Sequence, residues 1–237
     1  MLNDQRVLVM GGSSGIGEAV ALRAANQGAE VTIASRSSER LEAALTRLPE
    51  GICARELDLC SDESVAAFFT AYSPWHHVIL AGSSTQVGSV RSLPLEQARD
   101  GMQNKFWGAY HLGRHVRIER GGSLTFVSGV YAQRPNVNAV LQGAINAAIE
   151  GLMRGLALEF APCGVRVNAV SPSTTATPLW DRLGAEGREQ KFSEMAQRLP
   201  VGKVATPDDI AQAIIFLATN AFATGSTLLV DGGDALV

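Results

Sequence analysis

Six small or apolar residues within the segment 11–17 have the composition of a phosphate-binding turn. They follow the apolar run 7–10 directly, and a segment with helical spacing comes after them. Glycine lets a chain turn sharply and lets its backbone approach a ligand. A helix that begins at such a turn presents unpaired N–H groups and the positive end of its dipole, which favours a pyrophosphate. The residues of this predicted turn are Gly11, Ser13, Ser14, Gly15, Ile16 and Gly17.

The residues after the next two strands indicate which dinucleotide the turn would bind. The strand predicted over 30–34 ends at Ser35 and Arg36, where a binder of the unphosphorylated dinucleotide carries an acid for the ribose 2′-hydroxyl. Arginine and hydroxyl groups are instead partners of a 2′-phosphate. Asp58 and Leu59 follow the third strand, where the carboxylate is placed to accept from an adenine amino group. The sequence therefore predicts NADP(H), with NAD(H) as the weaker alternative; the other interpretation is an ordinary turn without ligand and a solvated Arg36.

The elements that position these residues alternate between strand and helix along the whole chain. Short apolar runs without polar alternation are typical of strands buried on both faces of a parallel sheet. The pattern predicts an α/β fold of the Rossmann type, a doubly wound sheet of seven parallel strands with helices on both faces. Residues 1–237 are expected to form a single NAD(P)-binding domain. Within it, residues 171–200 are expected to form a mobile substrate lid with one helix inside.

Composition and charge exclude several other classes of protein. The chain has 237 residues and a net charge of −3 with both signs interspersed, so it has no basic stripe for nucleic acid and no polybasic membrane patch. It has no apolar run that spans a bilayer and no signal peptide, which predicts a cytoplasmic protein. The three cysteines lack a C-x-x-C pair and are expected to be reduced. His76 and His77 have no partners at ligand spacing, so we predict surface positions for both and no metal site.

Motifs along essentially the whole chain resemble those of the short-chain dehydrogenase/reductase family. They are the glycine turn, Asp58, Ala81-Gly82, the segment 104–108 with Asn104, and the segments 147–152, 166–172, 224–225 and 230–233. The resemblance implies an NADP(H)-dependent oxidoreductase of a small-molecule substrate. It also implies a homodimer or homotetramer formed through the two long helices and the last strand. Further cofactor contacts implied by the resemblance are Ala81, Gly82, Pro172, Thr175 and Thr177, the two threonines at the nicotinamide carboxamide.

The catalytic positions depart from the family pattern. Counting back from 147–152, the family's Tyr-x-x-x-Lys falls on Gln142 and Asn146, and its serine falls on Gly129. Gln142 does not ionise, but its amide is able to donate a hydrogen bond to a substrate oxygen. Asn146 is placed to reach the nicotinamide ribose in the lysine's stead. Asn104 remains from the family's catalytic four, and we expect it to open its helix locally and hold a water.

Two residues of the loop after the fifth strand are further candidates. Tyr131 lies two residues after Gly129, and its phenol either enters the crevice as a substitute acid or packs as an ordinary loop side chain. Arg134 either meets an anionic substrate or is a solvated surface arginine. Both residues therefore remain alternatives at this point.

Two functions fit these observations. The first is an NADP(H)-dependent reductase that acts on a small carbonyl, an imine or an activated alkene and takes its proton from an unusual source. The second is a catalytically silent NADP(H)-binding protein, either a sensor or a partner subunit. We favour the first, because Thr177 and the lid are retained and a sensor of the adenine nucleotide alone has no use for them.

Overall fold

The computed structural model describes residues 1–82 and 85–237. Its seven strands form one sheet in the order β3-β2-β1-β4-β5-β6-β7, and every neighbouring pair is parallel. The strands are β1 (Arg6–Met10), β2 (Glu30–Ser35), β3 (Cys53–Glu56), β4 (Trp75–Leu80), β5 (Ile118–Val127), β6 (Arg166–Pro172) and β7 (Thr227–Val230). The predicted fold class and the seven parallel strands are confirmed.

Eight α-helices within the described residues cover the two faces of the sheet. They are α1 (Gly15–Ala25), α2 (Ser38–Leu45), α3 (Asp62–Ala71), α4 (Leu95–Met102), α5 (Gly108–His115), α6 (Val140–Phe160), α7 (Gly184–Arg198) and α8 (Pro207–Thr219). Their starts follow local capping chemistry where the sequence offers it. At α8, for example, the Thr206 hydroxyl accepts from the backbone of Asp209 while the Asp209 carboxylate accepts from the backbone of Thr206.

The core lies in two layers because successive side chains of a strand point to opposite faces of the sheet. Val7 and Val9 of β1 belong to the layer with α1, α2 and α8. Leu8 and Met10 belong to the layer with α3, α5 and α6. All four side chains are buried, which explains why the sequence of β1 shows no polar alternation.

The sheet order fixes where a ligand crevice forms. β1 lies between β2 and β4, so the connections after β1 and β4 leave in opposite directions at the carboxyl ends of the strands. The two edge strands differ in character. β3 exposes Cys53, Arg55 and Glu56, whereas β7 is the apolar segment Thr-Leu-Leu-Val, with Leu229 40% exposed.

The prediction that His77 lies at the surface is wrong. β4 begins at Trp75, so His77 is inside the strand and pairs with Val7 of β1 and Ser123 of β5. Its ring lies 2.8 Å from Ser123 Oγ and 2.9 Å from Gln5 Oε1, and 5% of the residue is exposed. The apolar run alone indicated a strand from Val78, because a buried histidine satisfied by two side chains leaves no signal in hydropathy.

The segment predicted as the lid contains one α-helix, as expected, but β6 continues to Pro172, so the first two predicted lid residues belong to the sheet. A 3₁₀ turn (Pro178–Leu183) precedes α7. Asp234, whose side chain is 2% exposed, lies between the two ends of this segment. Its carboxylate accepts from the Ser173 hydroxyl and lies 2.7 Å from Arg198 Nη2.

Neither alternative for Arg134 describes its position. Its Nε lies 3.2 Å from Asp234 Oδ1 and donates to the carbonyl oxygen of Val237 at 2.8 Å. Arg134 therefore belongs to the ion-pair cluster of Asp234, because the folded chain brings the loop after β5 against the segment after β7. A contact of this kind joins residues a hundred positions apart and has no local sequence pattern.

Within residues 1–82 and 85–237, no helix combines the length and apolar character that crossing a bilayer requires. The same part of the chain contains no group of three histidine, cysteine, aspartate or glutamate side chains close enough to hold a metal ion.

Candidate functional site

The glycine turn after β1 meets the end of β4 at the carboxyl edge of the sheet. The Gly11 N–H donates to the Ala34 carbonyl at 2.8 Å, and the Gly82 N–H donates to the Met10 carbonyl at 3.1 Å. A Cβ atom on Gly11 would lie 2.2 Å from the Cα of Gly82. Glycine at both positions is therefore required for this close approach of two backbones.

The first turn of α1 is open to an anion. Ser14, the N-cap residue, has no side-chain capping bond, so its hydroxyl leaves the first N–H groups of α1 uncapped. A Cβ atom on Gly17 would lie 2.1 Å from the Gly11 carbonyl oxygen, which keeps α1 tight against β1. Thr177, in the segment predicted as the lid, has its Cγ2 3.1 Å from the position of a Cβ on Gly15. This segment therefore lies against the predicted phosphate-binding turn.

An exposed arginine stands at the end of β2, next to this turn. Arg36 Nη1 donates to Asn104 Oδ1 at 3.3 Å, and the Cys60 thiol lies 3.1 Å from the same oxygen. The Asp58 carboxylate accepts from the backbone N–H of Cys60 at 3.0 Å. An uncapped helix terminus, a glycine turn and an exposed guanidinium on one rim fit a phosphorylated dinucleotide.

The long helix opposite the turn is interrupted where its opening was predicted. Residues Gln103–Trp107 form a π turn between α4 and α5. Asn104 directs its side chain to the rim, donating to the Asp100 carbonyl at 2.8 Å and accepting from Arg36. The next residue, Lys105, is the one that points into the crevice. A role for Asn104 in holding a water stays a prediction.

Lys105, Ser128 and Asn146 form the hydrogen-bonded centre of the crevice. Lys105 Nζ donates to Asn146 Oδ1 at 2.7 Å and to the Ser128 carbonyl at 2.9 Å. Asn146, 1% exposed, donates through Nδ2 to the Gly129 carbonyl at 3.2 Å. Burial lowers the pKa of Lys105 from 10.5 to about 8. Sequence reasoning missed Lys105, although it is one of three lysines in the chain and adjoins Asn104.

The buried carboxylate of Glu150 supports this centre from below. It accepts from the Ser128 hydroxyl at 3.0 Å and from Gln133 Nε2 at 2.9 Å. Ser128, Asn146 and Glu150 are all at most 5% exposed. The polar groups around Lys105 are thus fixed by their own hydrogen bonds, as a preorganised site requires.

Three other predicted site residues, Gln142, Tyr131 and Thr175, make no hydrogen bond to Lys105. Gln142 is half-buried on α6, and its Oε1 is buried without a hydrogen-bond partner among the described residues. Tyr131 lies in a 3₁₀ turn (Val130–Ala132), and its carbonyl would be 2.6 Å from a Cβ on Gly143 of α6. Thr175 is buried, and its hydroxyl donates to the Ser173 carbonyl at 3.1 Å. The hydrogen-bonded cluster of Lys105 therefore includes Asn146 but neither Asn104 nor Tyr131.

Known proteins are similar in sequence to this chain over nearly its full length. A family model described as enoyl-(acyl carrier protein) reductase matches residues 11–234. The chain is 31% identical over 248 residues to 4-formylbenzenesulfonate dehydrogenase of Comamonas testosteroni, with 98% of both chains covered. It is 32% identical over 253 residues to L-rhamnose 1-dehydrogenase (NAD(P)(+)) of Azotobacter vinelandii, covering 98% of this chain and 97% of the relative.

Solved structures have the same architecture. An NADPH-bound short chain oxidoreductase from Pseudomonas aeruginosa PAO1, described as containing an atypical catalytic center, has a TM-score of 0.89 and 29% identity, with 98% of both chains covered. The ligand-free aldohexose dehydrogenase of Thermoplasma acidophilum has a TM-score of 0.89 and 26% identity, covering 100% of this chain and 96% of that one.

Proposed function

Since this chain belongs to the short-chain dehydrogenase/reductase family of NAD(P)-dependent oxidoreductases, we propose that it is an NADP(H)-dependent reductase with a divergent active site. Its substrate is a small carbonyl compound, an imine or an activated alkene. The observation that carries this proposal is the pairing of a complete glycine turn and Arg36 with a catalytic centre built on Lys105 and Asn146.

The residues that would hold the cofactor lie on the rim of the crevice or are implied by the family pattern. The uncapped N–H groups of α1 suit the pyrophosphate, and Arg36 suits a 2′-phosphate on the adenosine ribose. Asp58 would accept from the adenine amino group, and Thr175 and Thr177 would contact the nicotinamide end. When bound, the reduced nicotinamide supplies hydride. An NADPH-bound structural relative supports the choice of the phosphorylated dinucleotide.

The residues that stand in place of the family's catalytic groups determine how this chain acts on a substrate. Hydride addition to a carbonyl leaves charge on oxygen, which requires hydrogen-bond donors and a proton. Gln142 offers an amide that does not ionise, and its unpartnered buried oxygen accepts a donor such as a hydroxyl or an iminium N–H. The amide orients substrate, and proton transfer falls to another group.

A silent cofactor-binding protein is the second candidate. It is favoured by the amides of Gln142 and Asn146 at positions where the family pattern has ionisable groups. The two candidates share the cofactor site and differ in turnover. Single-turnover oxidation of bound NADPH against panels of carbonyls, imines and enoates separates them. Oxidation with at least one class supports the reductase, and tight binding without oxidation by any class supports the silent protein.

The cofactor preference is tested by fluorescence titration with NADPH and NADH. Arg36→Ala removes a charge-assisted hydrogen bond to the 2′-phosphate, so we expect NADPH to bind roughly 10- to 100-fold more weakly. NADH affinity is expected to stay within about twofold, because NADH has no such phosphate. Arg40→Ala, an exposed arginine one turn into α2, is the matched control. Equal losses for both cofactors in Arg36→Ala would contradict the assignment.

We also propose that the protein assembles as a homodimer or homotetramer through α4–α5, α6 and β7. Large apolar side chains are exposed along these elements: Trp107 and Tyr110 at 43%, Leu158 at 80% and Leu229 at 40%. A contiguous apolar patch on a folded surface marks a contact site, and the rings of Trp107 and Tyr110 lie side by side with centroids 5.6 Å apart. Light scattering on the purified protein measures the mass directly, and a monomer at micromolar concentration would contradict the proposal.

A further inference from the structure

The amine of Lys105 occupies the place that the family pattern gives to a different lysine. That pattern puts its lysine at position 146 on α6, where this chain has asparagine. Lys105 comes from the π turn on the facing helix, and its Nζ ends 2.7 Å from Asn146 Oδ1. Lys105 therefore places an ammonium group beside position 146 from the helix that faces α6.

The residues around Asn146 fit this position of the Lys105 amine. Asn146 donates through Nδ2 to the Gly129 carbonyl, which turns its Oδ1 towards Lys105. A Cβ atom on Gly129 would lie 2.7 Å from that Nδ2 and displace the amide. The structure therefore accommodates Gly129, Asn146 and Lys105 together. A serine at position 129 would displace the Asn146 amide.

Two charged side chains, Glu150 of α6 and Arg36 of the rim, contact residues that bind or adjoin Lys105 but do not contact its amine. From α6, Glu150 reaches the Ser128 hydroxyl, while the Ser128 carbonyl accepts from the amine. On the rim side, Arg36 and Cys60 both contact Asn104, the residue before Lys105. No carboxylate among the described residues hydrogen bonds to the amine, and burial holds its pKa at about 8. An ammonium has three N–H donors, and two are used by Ser128 and Asn146, which leaves one for a substrate.

We propose that Lys105 is the proton donor of the reduction and replaces the tyrosine and lysine that the family pattern places on α6. The inference rests on the proposed reductase function. As hydride adds to the carbonyl carbon, the electron pair of the C=O π bond moves to oxygen. That oxygen takes a proton from the Lys105 ammonium and becomes a hydroxyl, and the neutral amine regains a proton from water.

Titration of the amine is measurable without a substrate. The chain has three lysines, so selective ¹³Cε-lysine labelling gives three signals, assigned with the variants Lys105→Met, Lys191→Met and Lys203→Met. We expect the Lys105 signal to titrate near pH 8. A Lys105 signal that does not change between pH 7 and pH 9 would overturn the proposal, since the amine then releases no proton near neutral pH.

Single-turnover reduction then tests the role itself. In the wild-type protein we expect the rate to be constant below pH 8 and to fall about tenfold per pH unit above it, because the ammonium form is needed. Lys105→Met is expected to be slower by about 100-fold or more at pH 7 and to lose this dependence. Lys203→Met, an exposed lysine, is the control and is expected to match the wild type.

Two further variants test whether Lys105 acts by donating a proton. Lys105→Arg keeps the charge but does not release a proton, so recovery to within threefold of the wild-type rate would overturn proton donation. Gly129→Ser retains Lys105 but displaces Asn146, and a shifted pH profile is expected.

If the wild type oxidises NADPH with no substrate class, the proposed function itself fails. If the wild type and Lys105→Met show the same rate and pH profile, only the role of Lys105 fails.

Discussion

Lowering the pH from 6.5 to 4 is expected to destabilise the fold through one imidazole, His77. The ring is buried in β4, and burial is the largest cause that lowers its pKa from 6.5 to about 4, followed by the charges of Arg166 and His76. The unfolded chain takes up a proton below pH 6.5, whereas the folded chain excludes it until about pH 4. The stabilisation is therefore fully present above pH 6.5 and is lost as the pH falls towards 4.

The size of this loss follows from the pKa difference. Each pH unit in this window costs about 1.4 kcal/mol for one proton, so the whole interval removes about 3 kcal/mol from the free energy of unfolding. The neutral ring keeps its contacts with Ser123 Oγ and Gln5 Oε1 throughout this window. A loss of this size is a large part of the stability of an ordinary domain.

Urea unfolding at intervals between pH 7.5 and 4 measures this loss. The His77→Gln variant has no titrating ring at this position. Its free energy of unfolding is expected to be lower than that of the wild type at pH 7, and to fall by about 3 kcal/mol less between pH 6.5 and 4. His76→Gln is the matched control, because His76 is half-buried in the same strand and accepts from the backbone of Arg6 at 2.9 Å. Parallel pH profiles for the wild type and His77→Gln would refute the reasoning.

Two other substitutions test the lid and the glycine turn. Asp234→Asn leaves the guanidinium groups of Arg134 and Arg198 without their buried counter-charge, so urea unfolding is expected to show a loss of about 3–5 kcal/mol. Asp181→Asn breaks an exposed pair with Arg188 and is expected to cost less than about 1 kcal/mol; similar losses for both would contradict the importance of burial. Gly11→Ala is expected to abolish NADPH binding in calorimetry, because its Cβ would lie 2.2 Å from Gly82 Cα. Gly155→Ala, whose Cβ meets nothing within 4 Å, is the control, and binding by Gly11→Ala would contradict the close-approach model.

The sequence predicted the sheet because its strands are apolar runs with two buried faces. Strand β2 begins at Glu30, the first residue of the strand predicted over 30–34, and extends one residue further to Ser35. This prediction rested on a pattern that is local in the chain. The positions of His77 and Arg134 depend instead on partners 46 to 103 residues away, so no local pattern in the sequence indicated them.

The central lysine was missed for a geometric reason. In a regular α-helix, a residue's face follows from its spacing, at about 100° per residue. A π turn inserts an extra residue per turn and rotates the side chains around it, so the faces of Asn104 and Lys105 do not follow from spacing. The family resemblance located the interruption of the helix but not the side chain that enters the crevice. Only the folded structure brings the amine to Asn146.

The unequal borders of the sheet limit how copies of this chain can join. Strand β3 presents charged side chains at one border, and charges there oppose pairing with a second sheet. Strand β7, at the other border, is apolar and open to a neighbour. In a dimer joined edge to edge across β7, the two sheets would form fourteen strands with β3 at both outer edges, and the charges of β3 would oppose the addition of another chain.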